Sequence, residues 1–297
     1  MSERLKLWSV RLAAGCLLVV LAWGGGSLAA VWWLTGRSGG AEPYTAINSF
    51  EHFVTIASDG VPIALSYAAP SARSPIVVLL HGNGGNGQSR LADGVRLLAE
   101  GYACLLVTHR AHGTSGGDVN DFGWSAQHDV MAAVRWVETH HADQPVFLWG
   151  QSLGAAAALF AMPKLGGRVS GTILECPYRD LATAVQRRVD RVLPSPLNAL
   201  AFQSLILFGR WRIPYWEQIS PRKAAANYPL NSPVLVLAGG ADERAFPEEA
   251  EEICEAIGPG AQLVMVPRAG HLRLKKTDAQ LYWQAVLEFL QRNTRES

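Results

Sequence analysis

A surplus of charge of either sign is missing from this chain: 26 Lys and Arg stand against 25 Asp and Glu, a formal net charge of +1 over 297 residues. No single-sign field spreads over the surface, which removes the electrostatic footprint that nucleic-acid binding requires. Cysteine is scarce too. Cys16, Cys104, Cys176 and Cys254 form no CxxC pair and have no histidine at metal-ligand spacing, so a zinc site is not expected. Cys16 lies in an apolar run and the other three are odd in number, so at most one disulfide forms among them, and buried free thiols are the simpler reading. Internal repeats and low-complexity tracts are absent, which excludes solenoids and arrays. Long apolar runs number just one, too few for a multi-span membrane protein.

That run is the first positive signal. Leu12 to Leu34 is 23 residues without a charge, about 34 Å as a helix and enough to cross a hydrocarbon core. Four of the ten tryptophans (Trp8, Trp23, Trp32 and Trp33) lie in or beside it, where amphipathic rings suit a membrane interface. Arg4, Lys6 and Arg11 precede the run and only Arg37 follows closely, so the positive-inside bias keeps residues 1–11 in the cytoplasm and exports the main domain. The expected organisation is a cytoplasmic segment 1–11, a transmembrane signal anchor 12–34, a linker 35–48 carrying the Gly-Ser-rich stretch Gly36 to Gly40, and a catalytic domain 49–297. A cleaved signal peptide competes with the anchor, because Ser27-Leu28-Ala29 has the small-x-small form of a cleavage site. Against it, Val31 to Leu34 carry the apolar run past that point.

Beyond Tyr44 the pattern is globular. His52 to Ala57 and Pro62 to Ala68 flank an Asp59-Gly60 turn and predict a hairpin. Short apolar runs follow at Ile76–Leu80, Cys104–Val107, Val146–Trp149, Thr172–Leu174, Val234–Ala238 and Gln262–Val266. Apolar on both faces, they fit strands buried in a parallel sheet. Helical patterns lie between them, at Arg90–Glu100, Ala126–His140, Leu153–Met162, Pro247–Ile257 and Ala279–Arg292. Strand alternating with helix predicts an open α/β sheet. The stretch 178–232 breaks the alternation. It has no convincing strand, a basic helical segment Leu181–Val192 and an almost wholly apolar one, Leu197–Phe208. It reads as a lid over a site, with cover for one sheet edge or contact with a membrane surface as the other readings.

The chemistry concentrates at strand ends. Gly150-Gln151-Ser152-Leu153-Gly154 stands between an apolar strand and a helix, the G-x-S-x-G pattern in the context its mechanics require, and it marks Ser152 as a nucleophile. Its base is expected to be His271, in a loop after the last strand. The carboxylate that orients the base is expected to be Asp242, in Gly239-Gly240-Ala241-Asp242, with Glu243 and Asp180 as rivals. Of the other histidines, His109 and His112 could border the pocket, His140 and His141 close a helix, and His52 and His128 offer no argument. His81-Gly82-Asn83-Gly84-Gly85 follows a strand, and with no Gly-Lys-Ser/Thr after it a phosphate loop is a poor reading. The loop reads as half of an oxyanion hole, with the N–H of Asn83 as one donor and that of Leu153 as the other.

Together, His81-Gly-Asn-Gly-Gly, Arg110-Ala-His-Gly-Thr-Ser-Gly, Gly150-Gln-Ser-Leu-Gly, Ile219-Ser-Pro, Pro233-Val-Leu-Val-Leu, Gly239-Gly-Ala-Asp and Gly270-His271 resemble the α/β-hydrolase superfamily. The likeness is to its lysophospholipase-like and serine-aminopeptidase-like branch and covers roughly residues 53–290. It implies an eight-stranded, mostly parallel sheet with helices on both faces and a helical insertion before the penultimate strand. It further implies a Ser-Asp-His triad and no metal or organic cofactor. Two departures stand out: Thr108 and Ala111 occupy positions where relatives carry Asp and Gly, and Pro247 falls five residues after Asp242 rather than four. The expected activity is hydrolysis of a small or lipid-like ester, with amide or thioester as lesser options. Acyl transfer to another acceptor, or binding without turnover, are the competing functions. Oligomeric state is left open.

Overall fold

The computed structural model describes residues 3–38, 50–229 and 232–295. The chain begins with one long helix, α1 (Glu3–Thr35), followed by the hairpin strands β1 (Glu51–Ile56) and β2 (Pro62–Ala68). Then come β3 (Ile76–Leu80), α2 (Leu91–Ala99), β4 (Ala103–Thr108), α3 (Gln127–His140), β5 (Val146–Gln151), α4 (Leu153–Leu165) and β6 (Gly171–Glu175). The insertion contributes α5 (Leu181–Val192), α6 (Leu197–Arg212) and α7 (Pro221–Ala225). β7 (Val234–Gly239), α8 (Pro247–Ile257), β8 (Ala261–Val266), α9 (Leu274–Thr277) and α10 (Ala279–Arg295) complete the chain.

The eight strands form one sheet in the order β1-β2-β4-β3-β5-β6-β7-β8, antiparallel at β1/β2 and β2/β4 and parallel elsewhere. The apolar runs explain the burial. Ile76, Val78 and Leu80 of β3 face one core cluster with α3, α4 and α8, while Val77 and Leu79 face the other with α2 and α10. Alternate residues of a strand point to opposite faces, so a strand covered on both sides has no place for a polar one. The edge strands are the exceptions: Val54 of β1 is 67% exposed, and β8 is buried only at Val266. β3 sends its successor β4 to one side, and β5 pairs on the other. Strand order therefore reverses beside β3, and the crevice at the carboxyl ends of β3 and β5 is where such sheets place ligands.

Three helices run past their expected ends, α10 by three residues to Arg295. α4 continues to Leu165 although Pro163 lies within it, in the last turn. α6 continues to Arg212 because Gly209 lets the Trp216 ring lie against the helix; a Cβ there would sit 2.5 Å from the ring. The insertion packs through Leu181, Ala184, Ile206, Ile213 and Trp216 onto Ala156 and Phe160 of α4, above the sheet's carboxyl end. Of the expected linker, residues 39–48 lie outside the described ones. Its first residues are docked: Thr35 is buried, and Ser38 donates its N–H to the Ala111 carbonyl at 2.8 Å.

Candidate active site

β5 ends in a turn too tight for ordinary side chains. Ser152 holds φ 49° and ψ −105°, a strained conformation for a residue with a Cβ. The flanking glycines answer close approach. A Cβ on Gly150 would lie 2.4 Å from the Gly154 backbone, and one on Gly154 would lie 2.6 Å from the Leu80 carbonyl oxygen. The Ser152 N–H donates to the Glu175 carbonyl at 2.8 Å, which pins the turn to β6. α4 starts at the next residue, so its N-terminal N–H groups and positive dipole end face the hydroxyl.

The loops after β7 and β8 bring Asp242 and His271 to that turn. His271 Nδ1 lies 2.8 Å from Asp242 Oδ2, and His271 Nε2 lies 3.2 Å from Ser152 Oγ. A carboxylate only accepts hydrogen bonds, so Nδ1 carries the proton and Nε2 presents a lone pair to the serine hydroxyl. Burial works to raise the Asp242 pKa. The His271 ring and the N–H groups of Ala245 and Arg244 outweigh it, and the carboxyl is held below its ordinary range. Both N–H groups donate to Oδ1, at 3.0 and 2.8 Å, leaving Oδ2 for the imidazole. The rivals do other work. Asp180 caps α5 by accepting the Thr183 N–H at 2.8 Å, and Glu243 is an exposed partner of Arg191 at 3.8 Å.

The glycine-rich loop after β3 passes directly over the turn: a Cβ on Gly82 would lie 3.7 Å from Ser152 Cβ. Asn83 and Leu153 line the same cavity as Ser152. Leu153 is the first residue of α4, so its N–H has no partner within the helix. The neighbouring histidines hold this loop from below rather than bordering the cavity. His81 Nδ1 donates to the Gly82 carbonyl at 2.7 Å and its Nε2 accepts the His109 N–H at 3.0 Å. His112 Nε2 accepts the Gly84 N–H at 3.2 Å. Burial lowers the pKa of all three, His109 to about 3, so the rings stay neutral and those of His81 and His112 can accept these bonds. Thr108 accepts the Gly87 N–H at 2.9 Å through its hydroxyl, so the threonine itself ties down the loop. Ala111 sits at φ 55°, a conformation in which a glycine carries no Cβ penalty.

Three contributors were not singled out from the sequence. Cys176, at φ 48° after β6, places its thiol within 4.8 Å of the ligand atoms of Asp242 and His271, and burial pushes its pKa well up, so it stays protonated. Asn120 donates its side-chain amide to Asn83 Oδ1 at 2.6 Å and its backbone N–H to the Thr35 carbonyl at 2.8 Å. α1 packs along α6 and supplies residues to the cavity wall. The strand-end position of Cys176 was visible in the sequence; the other two depend on tertiary contacts alone.

The cavity above Ser152 has a volume of about 490 Å³ and a mostly apolar wall, within the range that buries a small-molecule ligand. Tyr178 and Phe122 stand near the serine, and α5 and α6 form a roof. A hydroxyl with its base in place, a dipole end behind it and an apolar cavity in front can perform acyl transfer.

Comparison with known proteins finds hydrolases among the matches. The family described as serine aminopeptidase, S33, matches residues 71–213. An uncharacterized protein of Mycobacterium tuberculosis, Rv2307c, is 28% identical over 225 residues, 73% of this chain and 69% of that one. The lysophosphatidylserine lipase ABHD12 of Bos taurus is 30% identical over 118 residues; the match spans 38% of this chain and 29% of the lipase. The esterase Pf2001 of Pyrococcus furiosus superposes with a TM-score of 0.71 over 87% of this chain and 98% of its own, at 21% identity, a likeness of fold.

Proposed function

We propose that this chain, which belongs to the α/β-hydrolase superfamily of serine hydrolases, cleaves carboxylic esters through an acyl-enzyme on Ser152. One observation carries the reading: the unbroken line from Asp242 Oδ2 to His271 Nδ1 at 2.8 Å and from His271 Nε2 to Ser152 Oγ at 3.2 Å. His271 takes the hydroxyl proton as Oγ bonds to the ester carbonyl carbon, and the carbonyl electron pair moves onto oxygen. The N–H groups of Asn83 and Leu153 stabilise that oxyanion. When the tetrahedral species collapses, the C–O bond to the leaving alcohol breaks and His271 returns the proton to it. Water, deprotonated by the same ring, then releases the acid and regenerates Ser152.

The apolar cavity favours a lipid-like acyl group over a polar one. A named lipase and a named esterase among the relatives and structural neighbours support the same class. α1 is read as a retained anchor, with the catalytic domain exported by the positive-inside bias. A fluorophosphonate probe tests the chemistry: wild type is labelled at Ser152 and Ser152→Ala is not. An unlabelled, folded wild type would refute the acyl-enzyme. A carboxyl-terminal alkaline phosphatase fusion tests the topology, and an inactive fusion would refute export.

A further inference from the structure

We infer that α1 is one wall of the acyl-binding cavity, so that the helix anchoring the chain also shapes its substrate: a single acyl chain drawn sideways from the bilayer. This rests on the esterase reading above. Ala22, Gly26, Ala30 and Leu34 of α1 line the cavity that contains Ser152. At spacings of four they form one stripe along the helix. Val185 and Val189 of α5 and Leu205 of α6 face them. Gly26 borders open space, with nothing within 4 Å of where a Cβ would stand.

The helix is fastened at both ends of this stripe. Trp23 Nε1 donates to Ser204 Oγ at 3.0 Å. Trp32 lies 5.2 Å from the Trp211 ring, with the Arg212 guanidinium 4.9 Å over it. Just beyond the helix, Arg37 donates to the carbonyls of Gly113, Ser115 and Gly117 at 2.6, 2.5 and 2.8 Å. The Thr35 carbonyl is joined through Asn120 to Asn83.

Helix length then sets the depth. The uncharged part of α1 free of the domain, residues 12–21, is about 15 Å long at 1.5 Å per residue, half of a hydrocarbon core of about 30 Å. The docked part, 22–34, must supply the rest, so α6 lies beside it at lipid depth. The outer face of the roof fits that environment: Leu200 is 53% exposed, Leu207 65% and Trp211 67%. Arg210 at the end of α6, with its side chain 60% exposed, is placed to reach the headgroups. The cavity consequently opens toward lipid. Its volume of about 490 Å³ lies within the range that buries one small-molecule ligand, and its apolar wall suits an acyl chain.

The test uses the full chain in lipid nanodiscs. A long-chain alkyl fluorophosphonate with a terminal diazirine is attached to Ser152, irradiated, and its crosslinks are mapped by mass spectrometry. Crosslinks in the fragment spanning residues 12–37 are expected. Labelling of Ser152 with crosslinks confined to other elements overturns this proposal while leaving the esterase reading intact. Absence of labelling overturns the esterase reading and this one with it. Gly26→Phe supplies a second readout: it should lower the ratio of kcat/KM for p-nitrophenyl laurate over p-nitrophenyl acetate at least tenfold. Ala29→Phe, on the exposed face of the same helix, should leave that ratio at the wild-type value. Equal ratios in the two variants overturn the proposal.

Discussion

Asp242→Asn separates the orienting role of the carboxylate from its bulk. The structure sets which way the new amide must face. Oδ1 accepts the N–H groups of Arg244 and Ala245 at 2.8 and 3.0 Å, and only an oxygen can stay there. The amide nitrogen therefore replaces Oδ2, 2.8 Å from His271 Nδ1. An NH₂ group donates, so Nδ1 must become the acceptor and the ring proton moves to Nε2, facing Ser152 Oγ. That tautomer cannot take the serine proton. Restoring the productive one means turning the amide over against two backbone donors. At about 1–3 kcal/mol for each buried polar group left unpaired, the penalty is about 4 kcal/mol, or roughly a thousandfold in rate. Hydrolysis of p-nitrophenyl butyrate by wild type and variant at pH 7.5 measures it. Circular dichroism and thermal melting confirm that the two proteins are equally folded. A folded Asp242→Asn enzyme within tenfold of wild-type kcat would refute the tautomer argument, because the carboxylate would then be dispensable.

Gly154→Ala forces a Cβ to within 2.6 Å of the Leu80 carbonyl oxygen, at the end of a central strand, and 2.8 Å of that of His81, the first residue of the loop after it. Overpacking of this kind costs about 1–3 kcal/mol or more; a Tm lowered by several degrees with loss of activity is expected, and an unchanged Tm would count against the close packing. Asn120→Ala removes the amide that positions Asn83; kcat should fall about tenfold, the rate equivalent of one hydrogen bond, with KM little changed, and a pure KM effect would contradict this role. Stability should fall with acid. His81, His109 and His112 have depressed pKa values when folded, mainly through burial, so below pH 6.5 the unfolded chain binds protons that the native state refuses. The His109 contribution is complete above pH 6.5 and is lost as pH falls toward about 3, at up to about 1.4 kcal/mol per pH unit, and those of His81 and His112 act in the same direction. His109→Leu, which replaces a buried ring with no hydrogen-bond partner at either nitrogen, should flatten the pH dependence of Tm by one proton; an unaltered slope would refute it.

The sheet was legible because burial on both faces leaves a local trace. Ile76 to Leu80 and Val234 to Ala238 are apolar at every position, and both are central strands. Ser152 was legible for a similar reason: the strained turn demands glycines two residues to either side, and that demand is written in five consecutive positions. His271 and Asp242 needed strand-end position and chain order, since neither has a neighbour that betrays it. Asp242 was preferred over its neighbour Glu243 from the sequence; the structure turns Asp242 toward the imidazole and leaves Glu243 in solvent.

The amino acids alone determined a long apolar helix, a parallel sheet and the tight turn at Ser152, because each leaves a pattern within a few residues of itself. They were silent on which face of α1 meets the rest of the chain. A helix apolar all round carries no marked side, and its orientation follows from a partner more than a hundred residues away. Only the assembled structure seats Gly26 over the cavity, Trp23 against Ser204 and Asn120 between Thr35 and Asn83. These contacts come from packing between distant segments, a property no local stretch of sequence possesses.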